Sequence, residues 1–211
     1  MEPGKHYHIY NHANGFENLF QSDENYRYFL RRYEHFIPSV ADTLVWCLMP
    51  NHLHFLVRIK TEAELESTFG KLDQTSKVST LQQKNLGGLI KNDIEKRISQ
   101  QFSNLFNSYS KAYNKMYSRR GSLFIPNFKR KEITSDRYLS NIIYYIHANP
   151  VHHGFINNLA DWSWSSYPFI LQDNHSLVKR AEVIEWFGNL EQFIAFHQQP
   201  IEARTKIEID F

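Results

Sequence analysis

The chain has 211 residues, 42% of them hydrophobic, enough for one or two domains of roughly 150 residues with a buried core. Its 24 Lys and Arg against 22 Asp and Glu leave a formal net charge of +2, which excludes a uniformly basic surface, so any cationic patch must be local. A single cysteine, Cys47, excludes an internal disulfide framework and a cysteine-rich zinc site, and it fits a reducing, cytoplasmic setting.

In chain order, Tyr7–Tyr10 reads as a strand, and Asn11-His-Ala-Asn-Gly15 as the turn after it. Ser22-Asp23 then precedes a helix over Glu24–Phe36, with Tyr26, Phe29, Leu30 and Tyr33 at helical spacing and Pro38 closing it. Thr43–Met49 and Leu53–Ile59 are apolar, extended runs on either side of Pro50-Asn51, which predicts an antiparallel pair. The polar stretch Glu62–Asn85 reads as an irregular or partly helical excursion.

A long helix is predicted over Leu89–Tyr117 from apolar residues at 90, 94, 98, 102, 105, 106, 109 and 113, broken by Arg119-Arg-Gly-Ser122. Leu123–Lys131 reads as extended. Thr134-Ser-Asp136 caps a further helix, expected to stop near Asn149 because Pro150 disfavours helical backbone in its predecessor. Two short helical patterns follow, near 181–187 and 190–198. No run approaches the ~18 apolar residues of a membrane span, and the N-terminal residues lack a signal-peptide core. The order β-α-β-β-α-β to residue 131 predicts a split βαβ, ferredoxin-like α+β sheet with a C-terminal helical appendage.

The sharpest chemical signal is His52-Leu-His54. Residues i and i+2 of a strand share a face, so the two imidazoles stand side by side as a two-ligand start for a divalent metal, with Leu53 turned to the opposite face. A third donor must come from elsewhere. His6 and His8 have the same spacing and read as a polar edge face. On the helix before Pro150, Leu139, Ile142, Ile143 and Ile146 form an apolar face suited to a sheet. Tyr138, Asn141, Tyr145 and Asn149 form a neighbouring stripe.

Lys111, Lys115, Arg119, Arg120, Lys129, Arg130 and Lys131 crowd a stretch without Asp or Glu, interleaved with Tyr113, Tyr117, Phe124 and Phe128. Cations that neutralise phosphate beside rings that stack on bases suit single-stranded or hairpin nucleic acid. Trp162–Tyr167 reads as packing. His147, His152 and His153 are either surface residues or spare ligands and phosphate contacts, and Cys47 reads as a buried small hydrophobe.

Four stretches together resemble the single-tyrosine HUH transposases, in particular the REP-associated tyrosine transposase branch. They are His8-Ile-Tyr-Asn-His-Ala-Asn14, Cys47-Leu-Met-Pro-Asn-His-Leu-His-Phe-Leu-Val57, Leu123-Phe-Ile-Pro-Asn-Phe-Lys-Arg-Lys131, and Tyr144-Tyr-Ile-His-Ala-Asn-Pro-Val-His-His-Gly154 continuing to Trp162-Ser-Trp-Ser-Ser-Tyr167. The resemblance implies an antiparallel sheet with helices mainly on one face and a catalytic domain over 1–170; the helical patterns beyond it read as a C-terminal extension over 171–211, which carries no family signal. The resemblance also implies that His52 and His54 bind Mg²⁺ or Mn²⁺ with Asn149 as third ligand, and that Tyr145 is the nucleophile. Tyr144 points about 100° away around the helix.

The implied reaction cleaves and rejoins single-stranded or hairpin DNA through a 5′-phosphotyrosine link, in a monomer or homodimer. Lys111, Lys115, Arg119, Arg120, Lys129, Arg130 and Lys131 would hold the DNA. His152 stands where many members carry Arg. Two other functions fit the same residues: a nucleic-acid-binding module that does not cleave, and a phosphodiesterase that uses water.

Overall fold

The computed structural model of the chain describes residues 1–75, 86–172 and 177–199. Four strands, β1 (His6–His12), β2 (Ala41–Leu48), β3 (His52–Ile59) and β4 (Lys129–Glu132), form one antiparallel sheet in the order β2-β3-β1-β4. That order is the split βαβ arrangement: β3 inserts between β1 and β2, which the helix α1 (Asp23–Phe36) connects. The fold is a mixed α+β one, as the element order predicts.

Alternation along β3 divides the chemistry of the molecule. Leu53, Phe55, Val57 and Ile59 face α1 and the long helix α3 (Leu86–Met116). Phe55 stacks on Tyr33 with ring centroids 4.3 Å apart, and Phe29 meets Tyr109 edge-on at 5.1 Å. The α3 stripe of Phe102, Phe106, Tyr109 and Tyr113 is buried here, the helical spacing read from the sequence. His52 and His54 face the other way, toward the helix α4 (Asp136–His152), whose Leu139, Ile142, Ile143 and Ile146 are buried. Helices α1 and α3 thus share one face of the sheet, while α4 and the histidines share the other.

The excursion after Lys60 begins as a regular helix, α2 (Glu62–Thr75); its remainder to 85 lies outside the described residues. Leu123–Lys131 is extended only at its end. Asn127 takes a φ of 63° and Pro126 has no N–H to donate, so pairing starts at Lys129, with one earlier bridge between Phe124 and Ala13.

Contrary to the expected stop near Asn149, α4 continues through Pro150 to His152. The proline falls in the last turn, so the ladder loses one bond. The amide of His153 still reaches the Asn149 carbonyl at 3.0 Å, and the Asn149 side chain is anchored from the sheet.

The outer edge of β2 is covered. Leu48 N–H donates to Trp164 O, Ser166 N–H to Trp46 O, and Lys179 N–H to Thr43 O, so the segment 164–166 and the start of the C-terminal part pair the free strand edge. Trp164 also stacks on Tyr26 at 4.5 Å, which makes this stretch packing, as expected. The helix α5 (Tyr167–Gln172) runs across residue 170, and α6 (Arg180–Trp186) and α7 (Leu190–Gln198) bury Val183 and Phe193 in the common core. Among the described residues no helix is long and apolar enough to cross a membrane.

If the ring of Phe55 carries the packing between β3 and α1, Phe55→Ala lowers the unfolding free energy by about 3–5 kcal/mol. Urea denaturation with an unchanged m-value measures it, and a loss below about 1 kcal/mol contradicts the assignment.

Candidate active site

The first residues of β3 and the last turn of α4 meet on one point. Asn149 Oδ1 lies 2.7 Å from His52 Nε2, and Asn149 Nδ2 lies 3.3 Å from His54 Nε2. All three side chains are buried, at 1% exposure or less. The strand period brings both histidines to this face, and the helix carries Asn149 to it from 95 residues further along the chain.

Proton counting limits what this cluster can be. His52 Nδ1 is 2.8 Å from Asn51 Oδ1 while its Nε2 is 2.7 Å from Asn149 Oδ1, and a neutral imidazole has one N–H for these two oxygens. Burial holds His52 neutral, with its pKa pushed down to about 4 despite the Asn149 hydrogen bond. If Nδ1–H donates to Asn51, the Nε2 lone pair faces the Asn149 carbonyl oxygen. A cation accepting both relieves that conflict. The donor set of two imidazoles and an amide oxygen fits Mn²⁺ more readily than Mg²⁺. Among the described residues no group of three His, Cys, Asp or Glu could hold a metal, so a metal here depends on the amide.

Tyr145 lies one turn before Asn149 on the same stripe. Its half-buried ring stands edge-on to His54 at 5.6 Å and to His8 at 6.4 Å. Burial raises its phenol to about 12, and a hydrogen bond with Asn149 opposes the rise. Tyr144 turns elsewhere: it is buried, with its ring 5.8 Å from that of His197 and 6.1 Å from that of His152. The structure therefore brings His52, His54, Tyr145 and Asn149 together and leaves Tyr144 out.

The basic stretch divides. Lys129 pairs with Tyr10 and Lys131 with His8 across the β1–β4 ladder, so both lysines stand on the histidine face, where Lys131 Nζ lies 5.5 Å from the Tyr138 ring centroid. Arg130 pairs with Ile9 on the opposite face. There it lines a groove of about 600 Å³ with Lys111, Asn11, Asn107, Asn114 and Asn127. Lys115 and Arg120 are exposed at the end of α3. Arg119 is occupied differently from what its place in the run suggests: it pairs with Glu17 and donates to Asn114 Oδ1 and to the Ser122 carbonyl, bracing the turn at Gly121, where φ is 88°.

Two histidines correct the sequence expectation, and a third adds to the site. His8 is wholly buried rather than on a polar edge, because β1 is an interior strand, and its Nε2 lies 3.0 Å from His54 Nδ1. His12 stacks on His52 with centroids 4.5 Å apart. His147 is neither a surface residue nor a spare ligand: its ring is held between His197 Nε2 at 3.0 Å and Ser166 Oγ at 2.8 Å, on the side of α4 away from the site. His153, exposed, lies 5.0 Å from His52. The H-x-H pattern could not distinguish His6 from His8; only the sheet order does. Cys47 is buried, and burial pushes its thiol up, as expected of a small hydrophobe.

No protein-family model matches the chain. No curated protein matches it in sequence. Among solved structures it is similar to a REP-associated tyrosine transposase bound to a REP hairpin, with a TM-score of 0.50 and 13% identity, covering 83% of this chain and 84% of that one. At that identity the likeness establishes a shared fold.

Burial holds four histidines of this face and its rear support neutral: His8 is pushed down to about 3, His52 to about 4, and His54 and His147 well below the ordinary value of 6.5. The unfolded chain takes up these protons near pH 6.5 and the folded chain only far lower. Stability is therefore full above that value and falls as pH drops toward about 4. Between pH 7 and pH 5 His52 alone removes about 2 kcal/mol, and the other three act in the same direction. Urea titrations at pH 7, 6 and 5 measure the fall, and a flat profile contradicts neutral, buried rings.

Proposed function

We propose that this protein is a metal-dependent tyrosine transposase that cleaves and rejoins single-stranded, hairpin-associated DNA. One observation carries the reading: His52, His54 and Asn149 converge through their Nε2 atoms and amide, with Tyr145 one helical turn away beside His54. The fold shared with a transposase bound to a hairpin supports it, as do the cations on both faces of β4.

In this reading His52, His54 and Asn149 hold a divalent cation, which when bound supplies charge neutralisation at a non-bridging oxygen of the scissile phosphate. Tyr145 Oη attacks the phosphorus. The P–O3′ bond breaks, a P–Oη bond forms, and the leaving oxygen takes a proton to become a free 3′-OH. With its phenol raised to about 12, Tyr145 is protonated in the metal-free resting enzyme at neutral pH, so it gives up one proton in the reaction while the leaving 3′ oxygen gains one. The bond energy is kept in the phosphotyrosine, and a second 3′-OH can reverse the step without an external energy source.

Lys129 and Lys131 flank the attack site on the same face and would hold the strand being cut. Lys111 and Arg130 line the groove on the opposite face and would hold the paired stem, in a site whose amide side chains can meet sugar and base edges.

The test is a denaturing gel of purified protein with 5′- and 3′-labelled single-stranded hairpin DNA from its own genomic flanks, with Mn²⁺ or EDTA. Expected is a metal-dependent protein–DNA adduct that retains the label 3′ of the nick and is absent in Tyr145→Phe and His54→Ala. Cleavage without an adduct would indicate hydrolysis, and binding without cleavage a binding module. An adduct persisting in Tyr145→Phe would move the nucleophile. On single-stranded DNA, Lys129→Ala with Lys131→Ala reduces the slope of log affinity against log salt by about 1.4, at ~0.7 per phosphate contact; an unchanged slope removes both lysines from the strand path.

A further inference from the structure

We propose that His8 is a positioning residue that fixes the tautomer of His54, so that the site meets its cation with His54 Nε2 already unprotonated. The inference rests on the metal reading above and concerns a residue that the H-x-H motif does not contain.

The geometry leaves little freedom. His8 and His54 are neighbours across the β1–β3 ladder, with rings 5.1 Å apart and 20° from parallel, and His8 Nε2 lies 3.0 Å from His54 Nδ1. On its other side His8 stacks against Tyr10 at 4.8 Å, and the ring is 0% exposed, so it can neither swing nor be hydrated. Two neutral imidazoles facing each other share one proton. If it sat on His8 Nε2, His54 would carry its own proton on Nε2, aimed at Asn149, and could not ligate there.

The second contact of the His54 ring decides between the two. With Asn149 Oδ1 turned to His52 Nε2 at 2.7 Å, where it would ligate a cation, its Nδ2 faces His54 Nε2 at 3.3 Å; an amide nitrogen only donates, so in this orientation His54 Nε2 accepts. The proton of His54 is then on Nδ1, donated to His8 Nε2. That is the tautomer that ligation through Nε2 requires, and the His8 contact accommodates it. The remaining proton of His8 lies on its Nδ1, a buried atom with no partner among the described residues. An orphaned donor is costly, and its presence is explained if Nε2 must be an acceptor. Histidines that bind metals characteristically donate their other N–H to such a partner, which orients the ring and raises its basicity.

The experiment uses the full chain, with two variants and two readouts. His8→Leu removes the acceptor. His8→Gln keeps one, since the glutamine Oε1 reaches about where the imidazole Nε2 lies. Thermal melts establish that each variant is folded. Expected in Mn²⁺ titration calorimetry is a 10- to 100-fold loss of affinity in His8→Leu, with recovery in His8→Gln. Expected in ¹⁵N spectra of the metal-free protein is His54 protonated at Nδ1 in the wild type and redistributed toward Nε2 in His8→Leu. Wild-type His54 protonated at Nε2, or unchanged Mn²⁺ affinity in a folded His8→Leu, overturns the proposal while leaving the metal reading intact. A wild type that binds no Mn²⁺ overturns the metal reading, and the ¹⁵N spectrum then decides the role of His8 alone.

Discussion

Asn149 touches both histidines of β3, and the placement of α4 follows from that contact. For its amide to reach His52 and His54, the helix must lie across their face of the sheet, which it does by burying Leu139, Ile142, Ile143 and Ile146. It must also keep its winding past residue 149, although a following proline disfavours helical backbone there. The side-chain anchor and the position in the last turn make that conformation tolerable. Tyr145 then arrives beside His54 because it lies four residues earlier on the same stripe, while Tyr144, about 100° round the axis, is carried to α7.

A second buried network holds α4 from behind. His197 Nδ1–H donates to the Phe193 carbonyl at 2.8 Å, so its Nε2 accepts from His147 Nδ1–H; His147 Nε2 accepts in turn from the Ser166 hydroxyl, whose oxygen receives Trp46 N–H at 2.9 Å. The chain of four groups ties α7, α4 and the covered edge of β2 together. The C-terminal helices are consequently part of what locates the proposed nucleophile. Burial of the His147 ring makes this tie dependent on its staying neutral.

Local periodicity was legible in the sequence wherever it was strong: the alternation around Leu53, the α3 stripe from Ile94 to Tyr113, and the Tyr145–Asn149 spacing all hold in the fold. What depended on strand order was not legible. His8 and His6 have identical spacing, yet only His8 is carried against His54 by the pairing of β1 with β3. Pro150 followed a sound local rule that tertiary anchoring overrode. His147 looked like a surface residue or a spare ligand, since its partners are Ser166 and His197, on segments that no short-range pattern joins to it. Arg119 looked like its basic neighbours until the loop it braces was in view.

The basic run shows how a chain of nearly neutral charge builds two distinct cationic surfaces from one short strand. Because β4 alternates, Lys129 and Lys131 flank the histidine face while Arg130 joins Lys111 in the groove behind the sheet. Among the described residues β4 is also the edge that no further strand pairs, whereas the β2 edge is paired by 164–166. Positive charge along an open edge discourages another strand from adding there and leaves it accessible to a polyanion. The same placement bears on the histidines: Lys131 lies close enough to His8 to oppose its protonation, adding to the effect of burial. The charge that would attract a phosphate backbone is therefore carried by lysines at the rim, and the rings beneath them remain neutral lone-pair donors.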